Sequence, residues 1–191
     1  MLQEGEYYHV YNRGNDKQPI FPLDRNYDYF LQKLRKYLLP RCEILAWCLM
    51  PNHFHLMILA TENTTRVVKE RPLPMSNLME GIRHLLSSYT KAIQVQEQRT
   101  GSLFQQKTKC KVASEYAIDL IRYIHQNPVK AGLVNKAEDW RWSSLMEYDS
   151  EQPILCNLEL TYRNLLLCKA DILEACEKEL RPEILQKIEG R

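Results

Sequence analysis

Cys42 to Met50 and His53 to Ala60 are two apolar, strand-length runs parted only by Pro51-Asn52. No other part of the chain restricts the fold as much. Such a pair reads as a β-hairpin closed by a tight turn. Because side chains alternate along a strand, His53 and His55 share one face while Phe54 and Leu56 share the other. Two imidazoles about 7 Å apart along a strand can hold one divalent cation between neutral nitrogens. The same pair can also serve as two hydrogen-bonded, half-exposed strand histidines.

The remaining elements follow from periodicity. Glu6 to Asn12 is aromatic and β-prone, and Arg13-Gly14-Asn15-Asp16 closes it as a turn. Asp24 caps a helix from Arg25 to Leu39, with Tyr27, Phe30, Leu31, Leu34, Tyr37 and Leu38 at helical spacing and Pro40 as its stop. After the hairpin, residues 61–74 are polar with two prolines and read as an exposed loop. Ser76 caps a long helix through about Gln98. Gly101 to Val112 reads as a fourth strand, and a third helix runs from Ser114-Glu115 to about Asn127, with Pro128 ending it or following closely. The order β-α-β-β-α-β predicts an α+β, ferredoxin-like (RRM-like) fold. This is a four-stranded antiparallel sheet with helices on one face. Residues 1–148 would form this body and 149–191 a helical C-terminal extension, either a simple add-on or a partner-binding module.

Composition sets the class. The chain has 191 residues, 45% hydrophobic and 26% charged, as in an ordinary globular protein. No apolar run reaches the length of a spanning helix, and Met1 to Glu6 lacks the order of a secretion signal, so a cytoplasmic location without membrane contact is expected. The six cysteines form no C-x-x-C pair, which argues against zinc-ribbon and disulfide frameworks. The net charge of +2 is uneven: from Asp149 onward nine acids face six bases, leaving the first 148 residues at +5. Lys107, Lys109 and Lys111 share one strand face, either protecting a sheet edge or forming a track for phosphates. Trp140, Trp142 and Tyr148 either pack a sheet edge or stack on bases.

On the third helix, Tyr123 and Asn127 stand one turn apart on one face. Read with the histidine pair, Asn127 adds a neutral oxygen ligand and leaves room on a hard cation for water and a phosphate oxygen. Tyr123 brings a phenol within one turn of that cation. A tyrosine phosphodiester conserves the bond energy of the nucleic-acid link, and a 3′-hydroxyl can reverse it. A phenol with the ordinary pKa near 10 needs metal polarisation and in-line placement to act as the nucleophile.

His53-Phe54-His55, the run Tyr123-Ile124-His125-Gln126-Asn127-Pro128 and the trailing Trp142-Ser143-Ser144 resemble the single-tyrosine, His-hydrophobic-His transposases. This is the IS200-like superfamily, and the match is strongest to its branch associated with repetitive extragenic palindromes (REP). The resemblance covers about Glu6 to Tyr148. It implies a Mg²⁺ or Mn²⁺ site on His53, His55 and Asn127, and cleavage and rejoining of single-stranded DNA beside hairpins. It also implies a 5′-phosphotyrosine intermediate on Tyr123. Compact insertion-sequence members usually carry Gln where Asn127 stands and work as dimers with the tyrosine donated in trans. The palindrome-associated branch is similar to monomers acting in cis. Monomer and homodimer therefore both stay open. Asn12, Arg13, Lys107, Lys109, Lys111 and Trp142 are the residues expected to touch DNA, and Tyr116 is the lesser candidate for nucleophile. Two other readings are a non-catalytic nucleic-acid-binding protein on the same sheet and a metallohydrolase that uses activated water.

Overall fold

A computed structural model describes residues 2–69 and 74–189 of the chain. Strands β1 (Tyr7–Arg13), β2 (Glu43–Met50), β3 (His53–Leu59) and β6 (Lys109–Val112) form one sheet in the order β2-β3-β1-β6. Every neighbouring pair is antiparallel. With α1 (Asp24–Tyr37) and α3 (Asn77–Gln96) between the strands and α4 (Ala117–Lys130) after the last of them, this is the ferredoxin-like order read from the sequence. Ser76 caps α3 as expected, accepting from the Met79 N–H at 3.3 Å.

The helices α1 and α3 cover one face. Phe30 of α1 and Tyr89 of α3 meet edge to face at 4.9 Å, and Phe30 touches Phe54 at 5.3 Å. Gly81 allows the close approach of the two helices, since a Cβ there would lie 2.6 Å from the Tyr37 carbonyl oxygen. The expectation of helices on one face holds for this pair. Helix α4 lies across the opposite face, where Tyr123 meets His55.

Several expected boundaries move, among them that of α1, where Leu23 and not Asp24 holds the cap position and the helix ends at Tyr37. The fourth strand is only Lys109–Val112. Ahead of it Phe104 turns into the core to meet Phe54 and Tyr89 at 6.2 and 6.1 Å, which pulls residues 101–108 out of strand geometry. Pro128 does not end its helix: α4 continues to Lys130 and stops at Gly132, whose φ of +68° is the left-handed cap conformation. Pro128 removes only the hydrogen bond to the Ile124 carbonyl. Of the loop expected over 61–74, residues 70–73 lie outside the described residues. The rest holds a one-turn helix α2 (Glu62–Thr65) and β4 (Val67–Lys69), which pairs with β5 (Met75–Ser76) just after the loop.

The chain after α4 seals the outer edge of β2. Leu49 N–H donates to the Trp142 carbonyl, Ser144 N–H to that of Trp47, and Asn157 N–H to that of Ile44, each at 2.9 Å. Helix α5 (Leu145–Ser150) carries Glu147, whose buried carboxylate accepts from the Trp47 indole N–H at 2.5 Å. It also accepts from the backbone N–H groups of Ile154, Leu155 and Cys156 at 2.8, 3.0 and 2.8 Å. The last helices are α6 (Leu158–Leu165), α7 (Lys169–Glu177) and α8 (Pro182–Glu189). Arg122 ties α4 to the end of α7, donating to the carbonyls of Ala175, Lys178 and Glu179, each at 2.9 Å. No helix of the described residues is long and apolar enough to cross a membrane.

Candidate functional site

Sheet register gathers the site. Across β1 and β3, Arg13 lies opposite His53, Tyr11 opposite His55 and His9 opposite Met57. Across β1 and β6, Tyr11 lies opposite Lys109 and His9 opposite Lys111. Alternation therefore puts His9, Tyr11, Arg13, His53, His55, Lys109 and Lys111 on one face, the face that α4 partly covers. The rings of His53 and His55 are 5.0 Å apart, centroid to centroid, and nearly perpendicular. The Tyr123 ring stands edge-on to His55 at 5.4 Å and to His9 at 6.1 Å. Lys130 Nζ lies 5.8 Å from the centre of the same tyrosine ring.

Both strand histidines are held neutral. Burial, followed by the charge of Arg13, lowers His53 to about 4. His55 is pushed well below the ordinary histidine value by burial first, then by His9, His53 and Arg13. Each also has its Nδ1 engaged. His53 Nδ1 is 2.6 Å from Asn52 Oδ1, and the Asn52 amide is oriented by its Nδ2, which donates to the Lys17 carbonyl at 3.2 Å. His55 Nδ1 is 2.8 Å from His9 Nε2. That leaves Nε2 of each ring as the nitrogen able to take a cation, a pattern of engaged rear nitrogens found behind metal-ligating histidines.

Asn127 is half-buried, and its Nδ2 donates to the Tyr123 carbonyl at 2.7 Å, which leaves Oδ1 as its donor atom for a cation. Among the described residues no three His, Cys, Asp or Glu side chains group as a metal site. Two neutral imidazoles 5.0 Å apart between ring centroids are a different kind of donor, and with an amide oxygen they would suit a hard divalent cation that keeps other positions for water and phosphate.

The structure separates the remaining predicted residues. Lys109 is exposed and Lys111 half-buried on the histidine face, with Lys111 Nζ 5.7 Å over the Tyr11 ring, while Lys107 is exposed but precedes the strand. Arg13 is half-buried on the same face, and its Nε is buried without a hydrogen-bond partner among the described residues. Two residues expected to touch DNA are instead structural. Trp142 is 5% exposed and stacks on Tyr27 at 4.6 Å, because its segment is drawn onto β2. Asn12 is buried, its amide donating to the Gln105 carbonyl and Thr108 Oγ1 at 3.2 and 2.9 Å, so it fastens the loop before β6. Tyr116 is committed elsewhere, its hydroxyl donating to the Val112 carbonyl at 3.0 Å.

Sequence reasoning missed His9, Asn52 and Tyr11. Two-residue alternation puts His9 and Tyr11 on one face of β1, and only the register of β1 against β3 makes it the histidine face.

The fold resembles that of a tyrosine transposase. One solved structure of similar fold is a REP-associated tyrosine transposase bound to a REP hairpin. It matches with a TM-score of 0.57 and 18% sequence identity, over 81% of this chain and 87% of that one. At this identity the likeness speaks for the fold. The sequence matches no protein-family model and no curated protein.

Proposed function

We propose that this chain cleaves and rejoins single-stranded DNA next to hairpins, with Tyr123 as nucleophile and a divalent cation held by His53, His55 and Asn127. The observation that carries this reading is the edge-on approach of the Tyr123 ring to His55, 5.4 Å between centroids within one chain. Helix α4 delivers the phenol to the imidazoles of its own sheet, which supports action in cis by a monomer. The transposase of similar fold was solved on a DNA hairpin, and a hairpin is the partner proposed here.

The Tyr123 oxygen attacks the phosphorus of the scissile diester in line with the departing 3′ oxygen. One P–O bond forms and one breaks, the phenol loses its proton and the 3′ oxygen gains one. A free 3′-hydroxyl and a 5′-phosphotyrosine result. Attack by a 3′-hydroxyl on that link restores a diester and frees the phenol. Mg²⁺ or Mn²⁺, when bound, would polarise the phosphate and ease the departure of the 3′ oxygen. His53 and His55 contribute uncharged donors that do not compete with protons near neutral pH. Lys109 and Lys111 offer positive charge to the backbone on the same face, and half-buried Tyr11 offers a ring for a base to stack on.

The test is incubation of the protein with labelled single-stranded hairpin DNA and Mn²⁺, followed by a denaturing gel and mass mapping of the attached residue. An adduct on Tyr123, lost in Tyr123→Phe while hairpin binding persists in a mobility-shift assay, is the expected outcome. Free 5′-phosphate ends without adduct would point to activated water. Binding unaffected by the substitution, with no cleavage in the wild type, would point to a non-catalytic binder.

A further inference from the structure

His9 is the buried ring behind His55, and the hydrogen bond between them is ambivalent. At 2.8 Å between His9 Nε2 and His55 Nδ1, one nitrogen must carry the hydrogen and the other must be bare. Asn52 shows the contrast. Its oriented carbonyl oxygen can only accept, so His53 carries its hydrogen on Nδ1 and keeps Nε2 bare whether or not an ion is present. Among the described residues nothing comparable sits behind His9, whose Nδ1 is buried without a hydrogen-bond partner there. The two possible states therefore differ in cost. If His9 donates from Nε2, its orphan Nδ1 is a bare acceptor. If His55 donates from Nδ1, the orphan becomes a buried N–H, the rarer and costlier kind of unpaired group.

We propose that His9 is a positioning residue that sets which nitrogen of His55 is bare, and that cation binding reverses the hydrogen bond between them. This rests on the cation site proposed above. Without an ion, His9 Nε2–H donates to His55 Nδ1 and His55 carries its own hydrogen on Nε2. Ligation through His55 Nε2 needs that nitrogen bare, so His55 holds its hydrogen on Nδ1 and donates to His9, which moves its hydrogen to Nδ1. Each ring carries one hydrogen before and after, so no proton is gained or lost overall.

The experiment is ¹⁵N–¹H long-range NMR on the full chain with ¹⁵N-labelled histidine, titrated with Mg²⁺ alone. Expected are Nε2–H forms of His9 and His55 without Mg²⁺, conversion of both to Nδ1–H at saturation, and His53 as Nδ1–H throughout with its Nε2 signal shifted by the ion. If His53 and His55 respond but His9 keeps its form, or His9 is Nδ1–H from the start, the inference about His9 is overturned and the cation site stands. If neither His53 nor His55 responds, the cation site itself is overturned and the inference falls with it. A second measurement uses Mn²⁺ binding. His9→Phe, which retains a ring but offers no acceptor, should weaken affinity about 10- to 100-fold. His9→Gln, whose amide oxygen can accept from His55, should recover most of it. Equal affinity in His9→Phe and wild type would also overturn the role of His9.

Discussion

Asn52 illustrates how a single side chain acquires a function from its neighbours. In the turn it contributes a tight bend, but its oriented amide also decides which nitrogen of His53 faces outward. Replacing His53 with Ala should abolish both Mn²⁺ binding and cleavage, because one of three proposed ligands is gone. Asn52→Ala should be milder, weakening Mn²⁺ affinity about 10- to 100-fold while hairpin binding is unchanged. A Mn²⁺ titration followed by electron paramagnetic resonance distinguishes the two. Unaltered affinity in Asn52→Ala would show that the turn amide only shapes the backbone. Tyr123 is the other residue-scale case: it is buried, 8% exposed, and its ring stands edge-on to the His55 imidazole.

At the scale of elements, the two edges of the sheet are treated in opposite ways. The β6 edge is short and cationic, four residues with Lys109 and Lys111 on the histidine face. If those lysines track phosphates, Lys109→Ala should weaken single-stranded DNA binding across sequences. It should also reduce the slope of log affinity against log salt by about 0.7. An unchanged slope in binding isotherms taken at several salt concentrations would leave edge protection as the lysine's role. The β2 edge is instead closed by the chain's own later segment, with Glu147 as the fastening. Removing that carboxylate strands the Trp47 indole N–H and three backbone N–H groups. Glu147→Ala should therefore cost about 3 kcal/mol or more, read as a lower urea midpoint. A loss below about 1 kcal/mol would mean that water reaches those donors.

The molecule as a whole carries a debt at low pH in its buried histidines. His125, wedged between Ser144 Oγ at 2.8 Å and Cys176 Sγ at 3.5 Å, is lowered by burial to about 3. His9 is lowered to about 3 by burial and then by Lys111. In the unfolded chain these rings titrate near 6.5. Between that value and about 3 the unfolded state binds more protons than the folded one, so stability falls as pH falls through this window and is flat above it. Urea unfolding at pH 7 and pH 4.5 should show a lower midpoint at pH 4.5, and His125→Gln should flatten the dependence. A midpoint independent of pH over that range would mean that the rings are hydrated in the folded state.

The hairpin around Pro51-Asn52, the order of the strands and the pairing of Tyr123 with Asn127 were all legible in the chain, because each depends on local periodicity or turn chemistry. So was the shared face of His53 and His55, which needs only the two-residue alternation of a strand. The approach of Tyr123 to His55 and the placement of His9 behind it depend on pairing between segments far apart in sequence, which no local pattern encodes. The fate of Trp142 and Asn12 was settled the same way: only tertiary packing decided that one stacks on Tyr27 and the other ties down the loop before β6. Periodicity specifies which side chains share a face, and long-range contacts specify what that face meets.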